Sequence, residues 1–233
     1  MSLTKVSGES TKMGTITCRC GEVKLTFPNA VPKFRCGCCC VECLQRVYVG
    51  SGGVPPAAIR NLDEPVDLLY IDSQIIKPDS DTLAKLAVFK LNDSGASNIN
   101  LIATCCGTVL LTENNEFHVP HTMATFNNLR PLLNCDFSNV PKSKLNVFSK
   151  DWPVERRVSL ASKEKSEGGE SLPQIFNPRL PVEEDAFTDL ISALKIEASP
   201  KPENSLSFAE LREGMEVKIE NAFFSEARSH MTG

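Results

Sequence analysis

The distribution of cysteine constrains the fold of this 233-residue chain more than any other feature of its sequence. Nine of its ten cysteines fall into three tight clusters: Cys18 and Cys20; Cys36, Cys38, Cys39, Cys40 and Cys43; and Cys105 and Cys106. Thiols one or two residues apart, in groups far apart in the sequence, are typical of turns that close around zinc. Single buried cysteines usually pack as small hydrophobic side chains, but paired clusters favour metal binding. The fold must therefore bring distant turns together.

The overall composition is that of a globular protein that can build a core. Hydrophobic residues make up 41% of the chain and charged residues 23%. The net charge of −4 is too small to indicate nucleic acid as a partner. No apolar run approaches the roughly 18 residues that cross a bilayer, and residues 1–14 lack the apolar core of a secretory signal. We therefore expect a cytoplasmic protein without a membrane partner, whose reduced thiols bind metal rather than form disulfides. The sequence indicates no oligomeric state.

Hydrophobic patterning predicts a mainly β fold. Residues 1–12 are polar and predict a flexible N-terminus. Residues 13–137 contain several short segments with alternating or continuous apolar residues, which predict one compact, mainly antiparallel β-domain. Two of its strands are expected to meet at the turn Cys18-Arg19-Cys20-Gly21.

Residues 138–233 differ in character and predict a partly helical C-terminal extension. Residues 162–181 are polar and interrupted by glycine and proline, which is typical of a linker. Two short helices are predicted after it. Asp185 to Glu197 carries apolar residues at helical spacing, and Ser207 to Glu210 fits a capping box that opens the second helix.

The first and third cysteine clusters predict a four-ligand metal site. Two thiolates in the Cys18-to-Gly21 turn can reach one metal, and the glycine permits a tight backbone. Cys105 and Cys106, followed by Gly107, supply a second turn of the same kind. Structural zinc needs four such ligands in tetrahedral geometry. We therefore predict Zn²⁺ as the cofactor, held by Cys18, Cys20, Cys105 and Cys106.

The middle cluster contains more thiols than one site requires. Cys38, Cys40 and Cys43 place three thiolates on a short loop, whereas Cys36 with Cys39 and Cys40 with Cys43 form two competing Cys-x-x-Cys turns. Three protein ligands leave the fourth zinc position for water or substrate, which is typical of catalytic zinc, whereas four ligands make a site structural. The spacing alone leaves both arrangements open.

Together these spacings resemble the glutathione-dependent formaldehyde-activating family, which includes centromere protein V and whose members share the Mss4-like β-fold. The resemblance covers residues 13–130 and depends on the following motifs: Cys18-x-Cys20-Gly21-x-Val23, Cys38-x-Cys40-x-x-Cys43 and Cys106-Gly107-Thr108-x-Leu110. It implies a zinc-dependent carbon–sulfur lyase-type enzyme that reversibly adds a small thiol, typically glutathione, to a small aldehyde. It also implies catalytic zinc at Cys38, Cys40 and Cys43, and structural zinc at Cys18, Cys20 and Cys106.

The chain departs from this family pattern in its third cluster. The family has Cys-x-x-Cys-Gly there, and Ala103 replaces the first of these cysteines. Cys105 is the candidate to complete the four ligands in its place. His118 and His121 have a spacing that zinc sites use, but their apolar segment favours packing over ligation.

Three basic residues flank the middle cluster: Lys33, Arg35 and Arg46. They can meet a glutathione carboxylate, although solvation explains them equally well. A zinc-stabilised binding module without catalysis is the main alternative function. Methionine sulfoxide reduction is a third, but the isolated Cys135 lacks the neighbouring residues that this chemistry needs.

Overall fold

β-Strands dominate the part of the chain that the computed structural model describes, which confirms the predicted mainly β fold. The described residues are 12–40, 43, 46, 65–91, 98–113, 119–126, 133–148, 154–155, 157, 174–175 and 181–220. The strands are β1 (Gly14–Cys18), β2 (Lys24–Phe27), β3 (Phe34–Cys38), β4 (Val66–Asp72), β5 (Gln74–Ile76), β6 (Leu86–Leu91), β7 (Ile99–Ala103), β8 (Thr108–Glu113), β9 (Thr122–Phe126), β10 (Leu133–Asp136), β11 (Asn146–Val147), β12 (Gln174–Ile175), β13 (Ser205–Ser207) and β14 (Val217–Glu220). The helices are α1 (Ser80–Leu83), α2 (Pro181–Ala193) and α3 (Phe208–Leu211).

The strands form three sheets. A nine-stranded sheet has the order β12-β11-β3-β4-β9-β8-β7-β6-β14, a three-stranded sheet has the order β10-β1-β2, and β13 pairs with β5. Every described pair formed within residues 13–137 is antiparallel, as the sequence predicts. The large sheet is nevertheless mixed, because β11, β12 and β14 join it through parallel pairs. These strands follow long connections, which parallel pairing requires and tight hairpins do not allow.

Burial follows the strand patterns. In β1 and β2 the apolar residues alternate with more exposed ones, so one face of this ribbon packs on the core. All five residues of β9 are buried, as are the first five of β8, because both strands lie inside the large sheet with both faces covered. Five described phenylalanines anchor this core with almost no exposure: Phe27, Phe34, Phe89, Phe126 and Phe208.

A short helix leads directly into a strand at residues 80–91: α1 ends at Leu83 and β6 begins at Leu86. Asp79 caps α1, because its Oδ1 accepts a hydrogen bond from the Thr82 N–H at 2.7 Å. After α1 the chain enters β6, whose register pairs it with β7. Strand β9 covers Thr122–Phe126, and residues 114–118 before it lie outside the described part.

The C-terminal extension is partly helical, but it also supplies four strands to the sheets. Helix α2 begins at Pro181 rather than Asp185, since proline is well tolerated in the first helical turn. The capping box of α3 is present: Ser207 Oγ accepts from the Glu210 N–H at 3.2 Å, and Glu210 Oε2 accepts from the Ser207 N–H at 2.7 Å. Hydrogen bonds from Ser207 and from Lys201 lower the pKa of Glu210 to about 2.

A hydrogen bond from Ser199 joins this extension to a largely buried ion pair at the end of β4. Lys33 Nζ lies 2.9 Å from Asp72 Oδ1, and the Ser199 hydroxyl donates to the same oxygen at 2.6 Å. The predicted linker at 162–181 lies outside the described residues except for 174–175 and 181, and the domain boundary at residue 137 stays a prediction. Among the described residues, no helix has the length and apolar character that crossing a membrane requires.

Candidate metal centres

The connection between β1 and β2 presents the first pair of thiols. Cys18 ends β1, and the chain then reverses so that the Gly21 N–H donates to the Cys18 carbonyl at 3.0 Å. Gly21 has a φ of +84°, a left-handed conformation that glycine adopts without strain. The Val23 N–H donates to Cys18 Sγ at 3.2 Å, which holds this sulfur inside the turn. The glycine in this motif is therefore required by the turn geometry.

The connection between β7 and β8 repeats this design. Gly107 also has a positive φ, of +72°, and its N–H donates to the Ala103 carbonyl at 2.8 Å. Cys105 and Cys106 lie at the tip of this turn. Two separate turns, each closed by a glycine, thus place their thiols at one end of the β-structure.

These two turns meet and form what we call the four-thiol group: Cys18, Cys20, Cys105 and Cys106. The sulfur of Cys105 lies 3.8 Å from that of Cys18, 3.3 Å from that of Cys20 and 4.0 Å from that of Cys106, and the Cys18 and Cys20 sulfurs are 3.5 Å apart. Four sulfurs bound tetrahedrally at the usual zinc–sulfur length lie about 3.8 Å from one another. The group can therefore hold a metal ion, and Cys105 occupies the place that Ala103 cannot fill.

Neighbouring polar groups tie the two turns together. Thr108 Oγ1 accepts from the Arg19 backbone N–H at 3.2 Å and lies 3.0 Å from Cys106 Sγ. The Arg19 side chain donates to the Cys106 carbonyl at 3.0 Å. Partial burial opposes ionisation of Cys106, but hydrogen bonds led by that of Thr108 lower its pKa to about 6. The surroundings of Cys106 thus favour the thiolate form that metal binding requires.

The middle cluster forms the three-thiol group: Cys38, Cys40 and Cys43. Cys38 Sγ lies 3.3 Å from Cys40 Sγ and 3.4 Å from Cys43 Sγ, and the Cys43 N–H donates to Cys40 Sγ at 3.2 Å. The three residues are only 3%, 7% and 3% exposed, respectively. Among the described residues, no further Cys, His, Asp or Glu joins this group. Three buried sulfurs at these distances can hold a metal ion and leave its fourth position to another ligand.

The close approach of these thiols affects their ionisation. The hydrogen bonds that Cys38 shares with Cys40 and Cys43, together with burial, raise the pKa of Cys38 well above its ordinary value. Contact with Cys38 lowers the pKa of Cys40, but Cys43 and burial outweigh that effect and raise it to about 12. A bound cation reverses this balance, because it stabilises the thiolates that otherwise repel one another.

In the described structure, Cys36 and Cys39 belong to neither group of thiols that could hold a metal ion. Cys36 lies inside β3 opposite Leu68, where burial raises the pKa of its thiol to about 12 although Tyr70 hydrogen-bonds to it. The backbone remains extended up to Cys38, and residues three apart in extended chain point to opposite faces. Cys36 and Cys39 therefore cannot close on one metal as a turn would allow.

The flanking basic residues differ in their environments. Arg35 forms a two-pronged pair with Asp67, with both N···O distances at 2.8 Å, and Lys33 pairs with Asp72. Arg46 instead lies buried beside the three-thiol group, where its Nη1 is 3.7 Å from Cys43 Sγ. The sequence spacing does not distinguish these three residues, and their different neighbours follow from tertiary contacts.

Two other candidates from the sequence, His121 and Cys135, belong to neither group. His121 is exposed in a turn with a φ of +61°, and His118 lies outside the described residues. Cys135 Sγ donates to the Phe126 carbonyl at 3.4 Å and belongs to neither group.

Two contacts at the middle cluster have no signal in the sequence: Thr112 Oγ1 lies 3.4 Å from Arg46 Nη1, and Tyr70 hydrogen-bonds to Cys36. Both come from strands whose register brings them to the middle cluster. The Thr108 contact was detectable in principle, because Thr108 directly follows the Cys-Cys-Gly turn.

Comparison with known protein families, with curated proteins and with solved structures finds no match to this chain. The resemblance described above therefore depends on cysteine spacing, and the geometry of the two thiol groups is the independent basis for a functional proposal.

Proposed function

We propose that this protein is a zinc-dependent carbon–sulfur lyase-type enzyme that acts on a small thiol adduct such as S-(hydroxymethyl)glutathione. The observation that carries the proposal is the three-thiol group. Its buried Cys38 sulfur lies 3.3 Å from that of Cys40 and 3.4 Å from that of Cys43, and no fourth described Cys, His, Asp or Glu joins the group. The four-thiol group, with a full set of protein sulfurs, is assigned the structural zinc. The Mss4-like fold and the family relationship are part of the same proposal.

The donor chemistry supports zinc as the metal. Thiolate sulfur is a soft ligand, and sets of three or four thiolates in tetrahedral arrangement are typical of zinc sites in reducing compartments. A zinc ion with an open position can stabilise a thiolate and polarise a carbonyl oxygen. Both effects serve the reversible addition of a thiol to an aldehyde.

The reaction itself balances without a redox partner. In the lyase direction the carbon–sulfur bond of the adduct breaks, and sulfur keeps the electron pair. The adduct hydroxyl loses its proton as the carbonyl double bond forms, and the released sulfur takes up one proton to give the free thiol. In this scheme Cys38, Cys40 and Cys43 fix the position of the reacting sulfur, and their burial excludes water from it.

Burial of the three-thiol group also favours a second candidate, a zinc-stabilised binding module without catalysis. Structural zinc sites are commonly enclosed, whereas catalytic ones keep a position for substrate. X-ray absorption distinguishes the two functions: three sulfurs plus one lighter atom at the second zinc supports the enzyme, and four sulfurs supports the module.

Metal analysis combined with cysteine substitutions tests the proposal. We expect up to two equivalents of zinc, one of which is lost when Cys38, Cys40 or Cys43 is replaced by serine. Cys36→Ser and Cys39→Ser are matched controls from the same cluster and should retain the metal. Exchange between formaldehyde and its glutathione adduct, followed by NMR, should be faster with wild type than with Cys40→Ser. Metal-free wild-type protein, or equal exchange rates with and without protein, would reject the lyase function.

A further inference from the structure

Two thiols of the four-thiol group, Cys20 and Cys105, are exposed, and they belong to different turns. Their sulfurs lie 3.3 Å apart, closer than the 3.5 Å between Cys18 and Cys20 and the 3.8 Å between Cys18 and Cys105. A disulfide bond is about 2.05 Å long, so these two sulfurs need to approach by only about 1.2 Å, which small side-chain rotations provide. The exposed pair is thus placed to form a disulfide.

The other two thiols of the group are less suited to this bond. Cys18 is 3% exposed, and its sulfur accepts a hydrogen bond from the Val23 N–H that holds it inside its turn. Cys106 is less exposed than its neighbour Cys105, and a bond between these two adjacent residues would distort the peptide unit that joins them. Exposure and distance therefore single out one pair.

Contacts that do not involve these sulfurs hold the two turns together. Thr108 Oγ1 accepts from the Arg19 N–H at 3.2 Å. Glu22, in the first connection, lies 2.7 Å from Lys85 Nζ, and the Lys85 carbonyl accepts from the Thr104 N–H of the second connection at 2.8 Å. Such contacts raise the effective concentration of each thiol at the other, which favours a bond within one molecule over a bond between molecules.

Burial, rather than distance, separates this pair from the three-thiol group. Cys38 Sγ also lies 3.3 Å from Cys40 Sγ, but these two residues are only 3% and 7% exposed. Oxidation of thiols depends on their exposure as well as on their thiolate character. An oxidant in solution therefore reaches the exposed pair first.

We propose that Cys20 and Cys105 are a redox modification site, at which a peroxide forms a reversible disulfide that releases the metal of the four-thiol group. This inference rests on the metal assigned to that group in the proposed function, and it is independent of catalysis at the three-thiol group. A disulfide sulfur is no longer a thiolate ligand, so only Cys18 and Cys106 remain to hold the metal.

The oxidation needs a peroxide alone. One sulfur attacks a peroxide oxygen and the O–O bond breaks, which gives a sulfenic acid and the first water. The second sulfur then displaces the sulfenic hydroxyl, which leaves as the second water. Two thiols and one hydrogen peroxide thus give one disulfide and two waters. A small thiol such as glutathione or dithiothreitol reduces the bond again by thiol–disulfide exchange.

The test treats zinc-loaded full-length protein with hydrogen peroxide and follows released zinc with a chromophoric chelator. Samples are then blocked with N-ethylmaleimide, digested with trypsin and analysed by mass spectrometry. Trypsin cleaves after Arg19, so Cys18 and Cys20 fall in different peptides, and the middle cluster lies in the peptide 36–46. The peptide of Cys20 should become linked to that of Cys105 as one zinc is released, and dithiothreitol with fresh zinc should reverse both changes. A disulfide within 36–46 should form at least about tenfold more slowly.

Serine variants assign the partner within the adjacent pair. Cys105→Ser should abolish the cross-link to Cys20, whereas Cys106→Ser, which also removes a metal ligand, should keep it. Cys135→Ser is the matched control, because Cys135 belongs to neither thiol group, and it should match wild type in both measurements. Fragment-ion mapping of the wild-type cross-link decides the partner if a variant does not fold.

Several results would overturn the inference while leaving the proposed function intact: a peroxide-treated protein without the cross-link, a cross-link between other cysteines, an equally fast disulfide within 36–46, or a bond between Cys20 and Cys105 that leaves zinc bound. Purified protein without zinc would reject the proposed function and, with it, the metal-release step.

Discussion

Gly21→Ala tests whether the backbone of the first cysteine turn is part of the metal centre. Gly21 has a φ of +84°, and a Cβ at this position would meet nothing within 4 Å. The substitution is therefore free of steric clashes, and its whole cost is the strain of holding an alanine in the left-handed region. That strain amounts to about 1–2 kcal/mol per residue.

This cost should be divided between the unfolding free energy of the metal-free protein and the free energy of metal binding. Without metal, the variant can relieve part of the strain by opening the turn, which separates Cys18 from Cys20. Metal binding then has to restore the left-handed conformation, so the relieved part reappears as weaker affinity. Because 1.4 kcal/mol corresponds to a tenfold change, affinity at the four-thiol group should fall by at most about 5- to 30-fold. The losses in unfolding free energy and in binding free energy should sum to about 1–2 kcal/mol.

Gly214 provides the matched control, since its φ is +80° and its surroundings are equally open. It follows α3 and lies outside both thiol groups. Gly214→Ala should lower the unfolding free energy by a similar amount and leave metal affinity unchanged. Urea denaturation of metal-free protein and competition titration with a chromophoric zinc chelator measure the two quantities. If Gly21→Ala matches wild type in both, the left-handed turn does not constrain the thiols and the reasoning is wrong.

Three other predictions follow from contacts elsewhere. A mild chelator should remove metal from the four-thiol group before the three-thiol group, because Cys20 and Cys105 are exposed. Zinc release should therefore occur in two phases, and the fast phase should be missing in Cys20→Ser. Asp72→Asn should destabilise the protein by about 3 kcal/mol in urea titrations, because it leaves the buried ammonium of Lys33 without its counter-charge, whereas Lys33→Met with Asp72→Leu should regain most of the loss. Ser207→Ala should cost about 1 kcal/mol by removing the cap of α3, and an unchanged unfolding midpoint would contradict that role.

Sequence signals predict the structure correctly where it depends on residues that are close together in the chain. The two turns that carry the four-thiol group are specified by a thiol pair followed by glycine, and both glycines have the left-handed conformation that such turns require. The capping box at Ser207 is equally local, since donor and acceptor lie three residues apart. Antiparallel pairing of β1 with β2 and of β7 with β8 follows from the short connections between these strands.

Features that depend on long-range register could not be read in this way. The parallel strands contributed by the extension pair across long connections, and their sequences carry no mark of the partner. The choice among five thiols in the middle cluster depends on where β3 ends, at Cys38, which spacing alone does not fix. The basic residues near the middle cluster also have partners that the sequence does not reveal. Lys33 and Arg35 each pair with a carboxylate more than 30 residues away, whereas Arg46 contacts the thiol of Cys43.

The two thiol groups differ in a way that bears on which one can react. The four-thiol group is partly exposed, with Cys20 and Cys105 at the surface, but four protein sulfurs fill a tetrahedral metal. The three-thiol group has three described sulfurs and is almost fully buried. Electrostatic interactions strengthen as water is excluded, so a thiolate and a neighbouring guanidinium affect each other more at the buried group than at the surface. Under the proposed function, the buried group is therefore the one assigned the chemistry at sulfur, and the exposed group is assigned the structural metal.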